Sequence, residues 1–176
     1  MALRSRQPVL YLPMRVWDAP TRLFHWLIVL LLPASYAAAE AGWMELHFDL
    51  GYAVLALFLF RLGWGFLGSD TALFRRFLAG PRAGLRHLAT FRRREPDTQI
   101  GHNAAGGWMV LAMLLLIGIE VASGLGANDG LGVFEGPLAK YIGGRASDLA
   151  TVVHATAIDV LIAAVVLHIL AIVLYA

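Results

Sequence analysis

The sequence predicts an all-α fold, an integral membrane four-helix bundle, and two observations support this fold class. Hydrophobic residues make up 59% of the 176 residues, whereas a soluble domain usually has about 45–50%. The excess is concentrated in four runs, each long enough with its flanks to cross about 30 Å of hydrocarbon as a helix. We therefore expect a single domain over 1–176, with helices at about 18–39, 47–67, 102–124 and 148–176.

Capping and loop residues mark the ends of these helices. Asp18 is a candidate N-cap for the first helix, and Asp148 for the fourth. Residues 68–101 form a basic loop, within which residues 71–90 favour an amphipathic interfacial helix because apolar side chains alternate with Arg. Residues 125–147 form a Gly-rich loop, and a connection of this length usually carries function.

Lys and Arg are distributed unevenly along the chain. The 22 residues before the first hydrophobic run and the loop 68–101 together hold eleven of them, whereas the connection after the first helix and the loop 125–147 hold two. This asymmetry predicts that both termini and the basic loop are cytoplasmic and that the Gly-rich loop is periplasmic. Membrane topology and contact with lipid headgroups account for the basic residues of the loop 68–101, so we expect no nucleic-acid partner. The chain has no cysteine, which excludes iron–sulfur clusters, thiolate zinc sites and covalent c-type haem.

Four histidines sort into two layers. His154 and His168 lie fourteen residues apart in one hydrophobic segment, so they share a helix face and are separated by roughly 21 Å along its axis. His25 lies near the start of the first helix and His47 opens the second. Antiparallel helices then place His25 with His168 at the cytoplasmic side and His47 with His154 at the periplasmic side.

Paired intramembrane histidines indicate haem. Haem iron takes two axial ligands on opposite faces, and each layer supplies two from different helices. Two imidazoles would saturate the iron and leave no open position for oxygen, so electron transfer is the expected function. Two alternatives remain: histidines that only hydrogen-bond across helices, and a histidine-based zinc or copper transporter.

Other residues are candidates for contacts with two such haems. Gly51 follows the histidine of the second helix by four residues, and it suits either a flat macrocycle close to the backbone or tight helix packing. Haem propionates are anionic and attract Arg or Lys. Arg22 and Arg61 are placed for the cytoplasmic haem, with snorkelling to headgroups as the alternative. Arg145 and Lys140 are placed for the periplasmic haem.

Further polar residues lie within or beside the spans. Asp159 is expected to be a partner of the periplasmic ligand histidine or a proton carrier, because a charge in lipid is otherwise costly. Glu120, near the outer end of the third helix, is expected to reach water. His102 and Asn103 at the inner end of that helix suit a quinone site or a proton path, and an interfacial histidine that caps the helix is the alternative.

Several motifs together resemble a known family. They are Arg15–Trp26 in the first helix, His47–Tyr52 and Arg61–Gly65 in the second, Gly101–Trp108 in the third, and His154 with His168 in the fourth. This pattern resembles the bacterial di-haem cytochrome b561 family, which includes the cytochrome b subunits of nickel–iron hydrogenases. The resemblance covers about residues 15–175. It implies a four-helix bundle with two b haems that exchanges electrons with quinones, and axial ligands at His25, His47, His154 and His168.

The expected function is therefore electron transfer in the bacterial inner membrane, between the quinone pool and a redox partner. The partner is expected to be a periplasmic c-type cytochrome or, second, a hydrogenase-like subunit. We expect an electron carrier or complex subunit rather than a stand-alone oxidoreductase. A superoxide oxidase that passes the electron to quinone and a haem-free structural or transport bundle are the alternatives, and a homodimer stays open.

Overall fold

Four long helices dominate the computed structural model, which describes residues 17–78 and 104–175. In these ranges the elements are α1 (Ala19–Glu40), α2 (Met44–Leu67), α3 (Phe74–Phe77), α4 (Ala104–Gly126), α5 (Ala139–Ile142) and α6 (Gly144–Tyr175). By length and composition α1, α2, α4 and α6 can each cross a membrane. The predicted all-α membrane bundle is confirmed, while the single domain and the cytoplasmic position of both termini stay predictions. Most of the interfacial helix expected over 71–90 lies outside the described residues.

The start of α1 is fixed by Asp18, as the sequence predicted. Its carboxylate accepts a hydrogen bond from the Thr21 backbone N–H at 2.8 Å, which satisfies one free donor of the first turn. The same carboxylate accepts from Trp64 Nε1 at 2.8 Å and from Ser69 Oγ at 2.6 Å. Burial alone would raise the pKa of Asp18, but the hydrogen bonds from Ser69, Thr21 and Trp64 lower it to about 2. Asp18 therefore joins the beginning of α1 to the end of α2.

Two helices begin earlier than the sequence suggested. Helix α2 starts at Met44 rather than near residue 47, with Glu45 in its first turn, where a negative charge complements the helix dipole. Helix α6 starts at Gly144, directly after Gly143 turns the chain with a φ of 81°. The prediction that Asp148 caps this helix was wrong, because the helix has already begun four residues before it.

The long helices pack chiefly as two hairpins. Helix α1 packs along α2, and α4 packs along α6, whereas the contact between α2 and α4 is less extensive. A small apolar core joins the hairpins, formed by Phe24, Ile28, Val54, Leu114, Ile117 and Leu161. Because the histidines belong to α1, α2 and α6, this packing places the candidate ligands of one hairpin opposite those of the other.

The loop between α4 and α5 is held in place by hydrogen bonds. The Asp129 carboxylate accepts from the backbone N–H groups of residues 131–134; burial raises the pKa of Asp129, but these bonds outweigh it and hold the pKa below its usual value. The backbone N–H of Asn128 donates to Thr151 Oγ1 at 2.9 Å, and its side chain donates to Ser147 Oγ at 2.7 Å. The loop is thereby tied to the first turns of α6, above the end of the bundle that holds His47 and His154.

Candidate haem site

The imidazoles of His47 and His154 face each other at one end of the bundle. Their ring centroids lie 6.0 Å apart with the planes inclined at 71°. His47 comes from the first turn of α2 and His154 from the third turn of α6. The structure thus brings together the two histidines that the sequence placed in one layer.

Each of these imidazoles is oriented through its Nδ1 atom. His47 Nδ1 lies 3.0 Å from the Ser35 carbonyl oxygen and 3.1 Å from Ser35 Oγ. His154 Nδ1 lies 2.9 Å from the Glu120 carbonyl oxygen and 3.2 Å from Glu120 Oε1. A carbonyl oxygen can only accept, so Nδ1 carries the proton in both rings. Nε2 is then the unprotonated nitrogen available to a metal, the arrangement typical of metal-ligating histidine.

A cavity of about 460 Å³ surrounds the two rings. Its walls include Gly51, and residues of the loop 127–137 contribute to its lining. A Cβ added to Gly51 would meet no atom within 4 Å. Gly51 therefore faces open space, which favours the macrocycle interpretation over tight helix packing. The volume is in the range of ligand and cofactor pockets, so the residues present fit a flat group held between two imidazoles.

The sequence did not identify two residues of α4 that contact His154. Glu120 was expected to reach water, but the expectation was wrong: the residue is 8% exposed and its carboxylate contacts the imidazole. A Cβ added to Gly124 would lie 2.9 Å from His154 Cε1, so only glycine leaves room for the ring. Asp159 lines the cavity with an exposed side chain, and Glu120 takes the position beside His154 for which Asp159 was considered. Glu120 and Gly124 are four residues apart and so share a helix face, but no signal in the sequence shows that this face is turned toward His154.

The second histidine pair lies at the opposite end of the bundle. His25 and His168 are close enough for their charges to interact. The ring of His25 makes edge contacts with Trp17 and Trp26, at centroid distances of 5.8 and 5.5 Å. Both histidines are half-buried. Helices α1 and α6 thus bring the second predicted pair together.

A buried arginine belongs to the same end. Arg61 is 4% exposed, its guanidinium lies 4.8 Å from the centroid of the Phe74 ring, and Nη1 has no hydrogen-bond partner among the described residues. Gly65 allows this arrangement, because an added Cβ would overlap the Phe74 ring. A buried charged donor without a partner is costly, so Arg61 is suited to receive an anionic group. The other predicted propionate partners are exposed: Arg22, Lys140 and Arg145.

The remaining candidates can be placed only in part. His102 and Asn103 lie outside the described residues. Lys140 lies over the ring of Tyr141 at 4.9 Å. Within residues 17–78 and 104–175, no group of three or more His, Cys, Asp or Glu side chains is placed to hold a bare metal ion. Haem needs only two protein ligands, because the porphyrin supplies the others.

Paired imidazoles inside a bundle of four membrane helices define the class of membrane b-type cytochromes. The model of the prokaryotic cytochrome b561 family matches residues 16–176. The chain belongs to this family, which confirms the resemblance seen in its motifs. It is a haem b-binding, multi-pass protein of the bacterial inner membrane that takes part in electron transfer. No curated protein and no solved structure matches the chain.

Proposed function

We propose that the chain binds two haem b groups and carries electrons between membrane quinone and a periplasmic redox partner. One haem lies between His47 and His154, and the other between His25 and His168. The observation that carries the proposal is the first pair: two imidazoles 6.0 Å apart, both held through Nδ1, at a cavity of about 460 Å³. The second pair supports it with a buried guanidinium nearby.

The residues of this chain would bind and orient the cofactor. When bound, haem supplies a one-electron ferric–ferrous couple. Ser35 and Glu120 keep the two imidazoles in the tautomer and orientation that present Nε2. Arg61 would offer Nη1, which has no hydrogen-bond partner in the described part of the chain, to a propionate at the other end. Because each haem would be held by two imidazoles, no coordination position would stay open for oxygen, and the bound group would be suited to electron transfer.

Haem content and single substitutions test the two-haem proposal. A pyridine haemochrome assay on fully loaded protein should give two haems per chain. His168→Ala should remove the haem bound with His25 while the other largely survives, and His47→Ala should do the reverse. His87→Ala, in the basic loop, is the matched control and should keep both. One haem per chain, or the loss of both from either folded variant, would contradict the pairing.

Charge at the His47–His154 end supports a basic partner. The exposed acidic residues of the α1–α2 turn, of the following loop and of the first turns of α6 are Glu40, Glu45, Asp129, Glu135 and Asp148. Only Lys140 and Arg145 oppose them among the residues described there. Such a surface attracts a basic patch, as on a soluble c-type cytochrome, with a hydrogenase-like subunit as the second choice. It does not attract superoxide, which as an anion would need a cationic approach.

Ionic strength tests this docking surface. Electron transfer between the chain and a basic cytochrome c should slow as salt rises, because screening weakens attraction between opposite charges. The double variant Glu45→Gln with Glu135→Gln should be slower and less dependent on salt. Asp70→Asn, at the other end of the bundle, is the control and should behave like the unmodified protein. A rate that salt does not change would point to a cytoplasmic or intramembrane partner.

Reduction by menaquinol and by ubiquinol, compared in the same preparation, tests the exchange with quinone.

A further inference from the structure

We propose that Glu120 is a positioning residue that strengthens His154 as an axial ligand and lowers the reduction potential of the haem at this site. The inference rests on the proposed function, since it requires a haem between His47 and His154. It concerns the unequal surroundings of these two ligands rather than ligation itself.

The Nδ1 atoms of the two imidazoles have the same arrangement of contacts, but the contacting side-chain groups differ chemically. Each Nδ1 lies near one backbone carbonyl oxygen and one side-chain oxygen of the same residue. For His47 these are Ser35 O at 3.0 Å and Ser35 Oγ at 3.1 Å. For His154 they are Glu120 O at 2.9 Å and Glu120 Oε1 at 3.2 Å. The difference between the two ligands is therefore a hydroxyl on one side and a carboxylate on the other.

The carboxylate is placed to act on the imidazole alone. Glu120 is 8% exposed, and its second oxygen, Oε2, has no hydrogen-bond partner in the part of the chain that the structure describes. The Nδ1 proton of His154 goes to the Glu120 carbonyl oxygen at 2.9 Å, and the carboxylate oxygen Oε1 lies 3.2 Å from the same nitrogen. The attraction between a negative charge and a polar N–H group is stronger where the local polarity is low. Gly124 lies against the His154 ring, which keeps the imidazole beside the carboxylate.

The consequence for the haem follows from charge. A ferric haem core with two neutral imidazoles carries one positive charge, and the added electron makes it neutral. A negative charge beside Nδ1 of His154 polarises the Nδ1–H bond and would increase electron donation from Nε2 to the iron. Both this donation and the negative charge favour the ferric form. Reduction would add one electron, supplied by quinol or by the redox partner of the proposed function, and Nδ1 of His154 would keep its proton.

The test is a potentiometric titration in the His168→Ala background, in which only the haem between His47 and His154 remains. Glu120→Gln keeps the size of the side chain and an oxygen acceptor but removes the charge. At a fixed potential it should raise the ratio of ferrous to ferric haem roughly tenfold, which is about 59 mV for a one-electron couple. Glu120→Asp retains a charge and should shift the ratio less than Glu120→Gln. Ser35→Ala, which removes the neutral hydroxyl beside His47 Nδ1 and leaves the backbone carbonyl oxygen in place, is the matched control and should also shift the ratio less.

The outcomes separate this inference from the proposed function. An unchanged potential in Glu120→Gln, or an equal shift in Ser35→Ala, would overturn the role of Glu120 while the haem itself is still present. Absence of haem from the unmodified protein would overturn the proposed function instead. If Glu120→Gln does not load with haem, the two single-haem variants decide. The haem that survives in His168→Ala should have a lower midpoint potential than the haem that survives in His47→Ala, and the opposite order refutes the inference.

Discussion

Gly124→Ala is expected to displace the His154 imidazole and to weaken haem binding at that end of the bundle. The new Cβ would lie 2.9 Å from Cε1 and 3.2 Å from Nδ1 of the ring, closer than side-chain carbons normally approach. The ring cannot simply rotate away, because its Nδ1 donates to the Glu120 carbonyl oxygen at 2.9 Å. The substitution must therefore break this hydrogen bond or move a backbone.

The size of the effect can be estimated from overpacking. Forcing an extra methyl group into a filled space costs about 1–3 kcal/mol. If this strain falls on the haem-bound geometry, affinity at the site drops by about 5- to 150-fold. The assay is a titration of haem-free protein with hemin, followed by absorbance, in a His168→Ala background that leaves one site.

Gly118→Ala provides the matched control on the same helix. Its added Cβ would lie 2.8 Å from Cζ of Phe58, so it overpacks α4 to a similar degree but against a side chain that is not a proposed ligand. Gly118→Ala also raises the helix propensity of α4 by the same amount as Gly124→Ala does. Gly118→Ala should therefore bind haem nearly as the unmodified protein does. Equal affinities for the two variants, or a larger loss in Gly118→Ala, would refute the reasoning.

Three further predictions concern the cavity, the loop and the start of α1. Gly51→Leu should leave the haem-free protein as stable as before, since a Cβ there meets nothing within 4 Å, yet abolish the Soret absorption of its site; retained haem would show that the macrocycle lies elsewhere. Asn128→Ala removes the hydrogen bonds to Ser147 and Asp148 and should speed hydrogen exchange in the loop, while exchange in α2 stays unchanged. Asp18→Ala should lower the free energy of unfolding by about 1 kcal/mol at neutral pH, a value discounted for solvent exposure. Because the folded pKa of Asp18 is about 2 against 3.8 unfolded, this difference should be complete above pH 3.8 and vanish as pH falls through about 2; a difference that persists at lower pH would contradict it.

The membrane helices and the histidine pairing could be predicted because each depends on a strong local signal. Span length follows from hydrophobic runs, and the shared face of His154 and His168 follows from helical periodicity. Helix ends were less predictable. Gly144 begins α6 because Gly143 adopts a positive φ, and a glycine-rich segment offers several positions for such a turn.

The rotation of α4 could not be predicted, and so Glu120 was misplaced. In a soluble helix the apolar stripe shows which face is buried. In lipid the outward face is as apolar as the inward one, so periodicity carries little information. Glu120, the partner of His154, lies on α4. Only the packing of α4 against α6 determines which face of α4 is turned toward His154.

The two ends of the bundle hold a buried acidic and a buried basic side chain, and this difference predicts a direction for electron flow. Glu120 contacts the ligand His154 at one end, and Arg61 is buried near the other. A negative charge favours ferric haem and a positive charge favours ferrous haem, so electrons should move from the Glu120 end to the Arg61 end. Arg61→Gln should lower the higher midpoint potential and Glu120→Gln should raise the lower one, each on the order of 59 mV. Because the ligands His154 and His168 on α6 lie roughly 21 Å apart, the two effects should add, and the double variant should narrow the gap by about twice the single shift. A gap that the double variant leaves unchanged would show that the potentials are set by other groups.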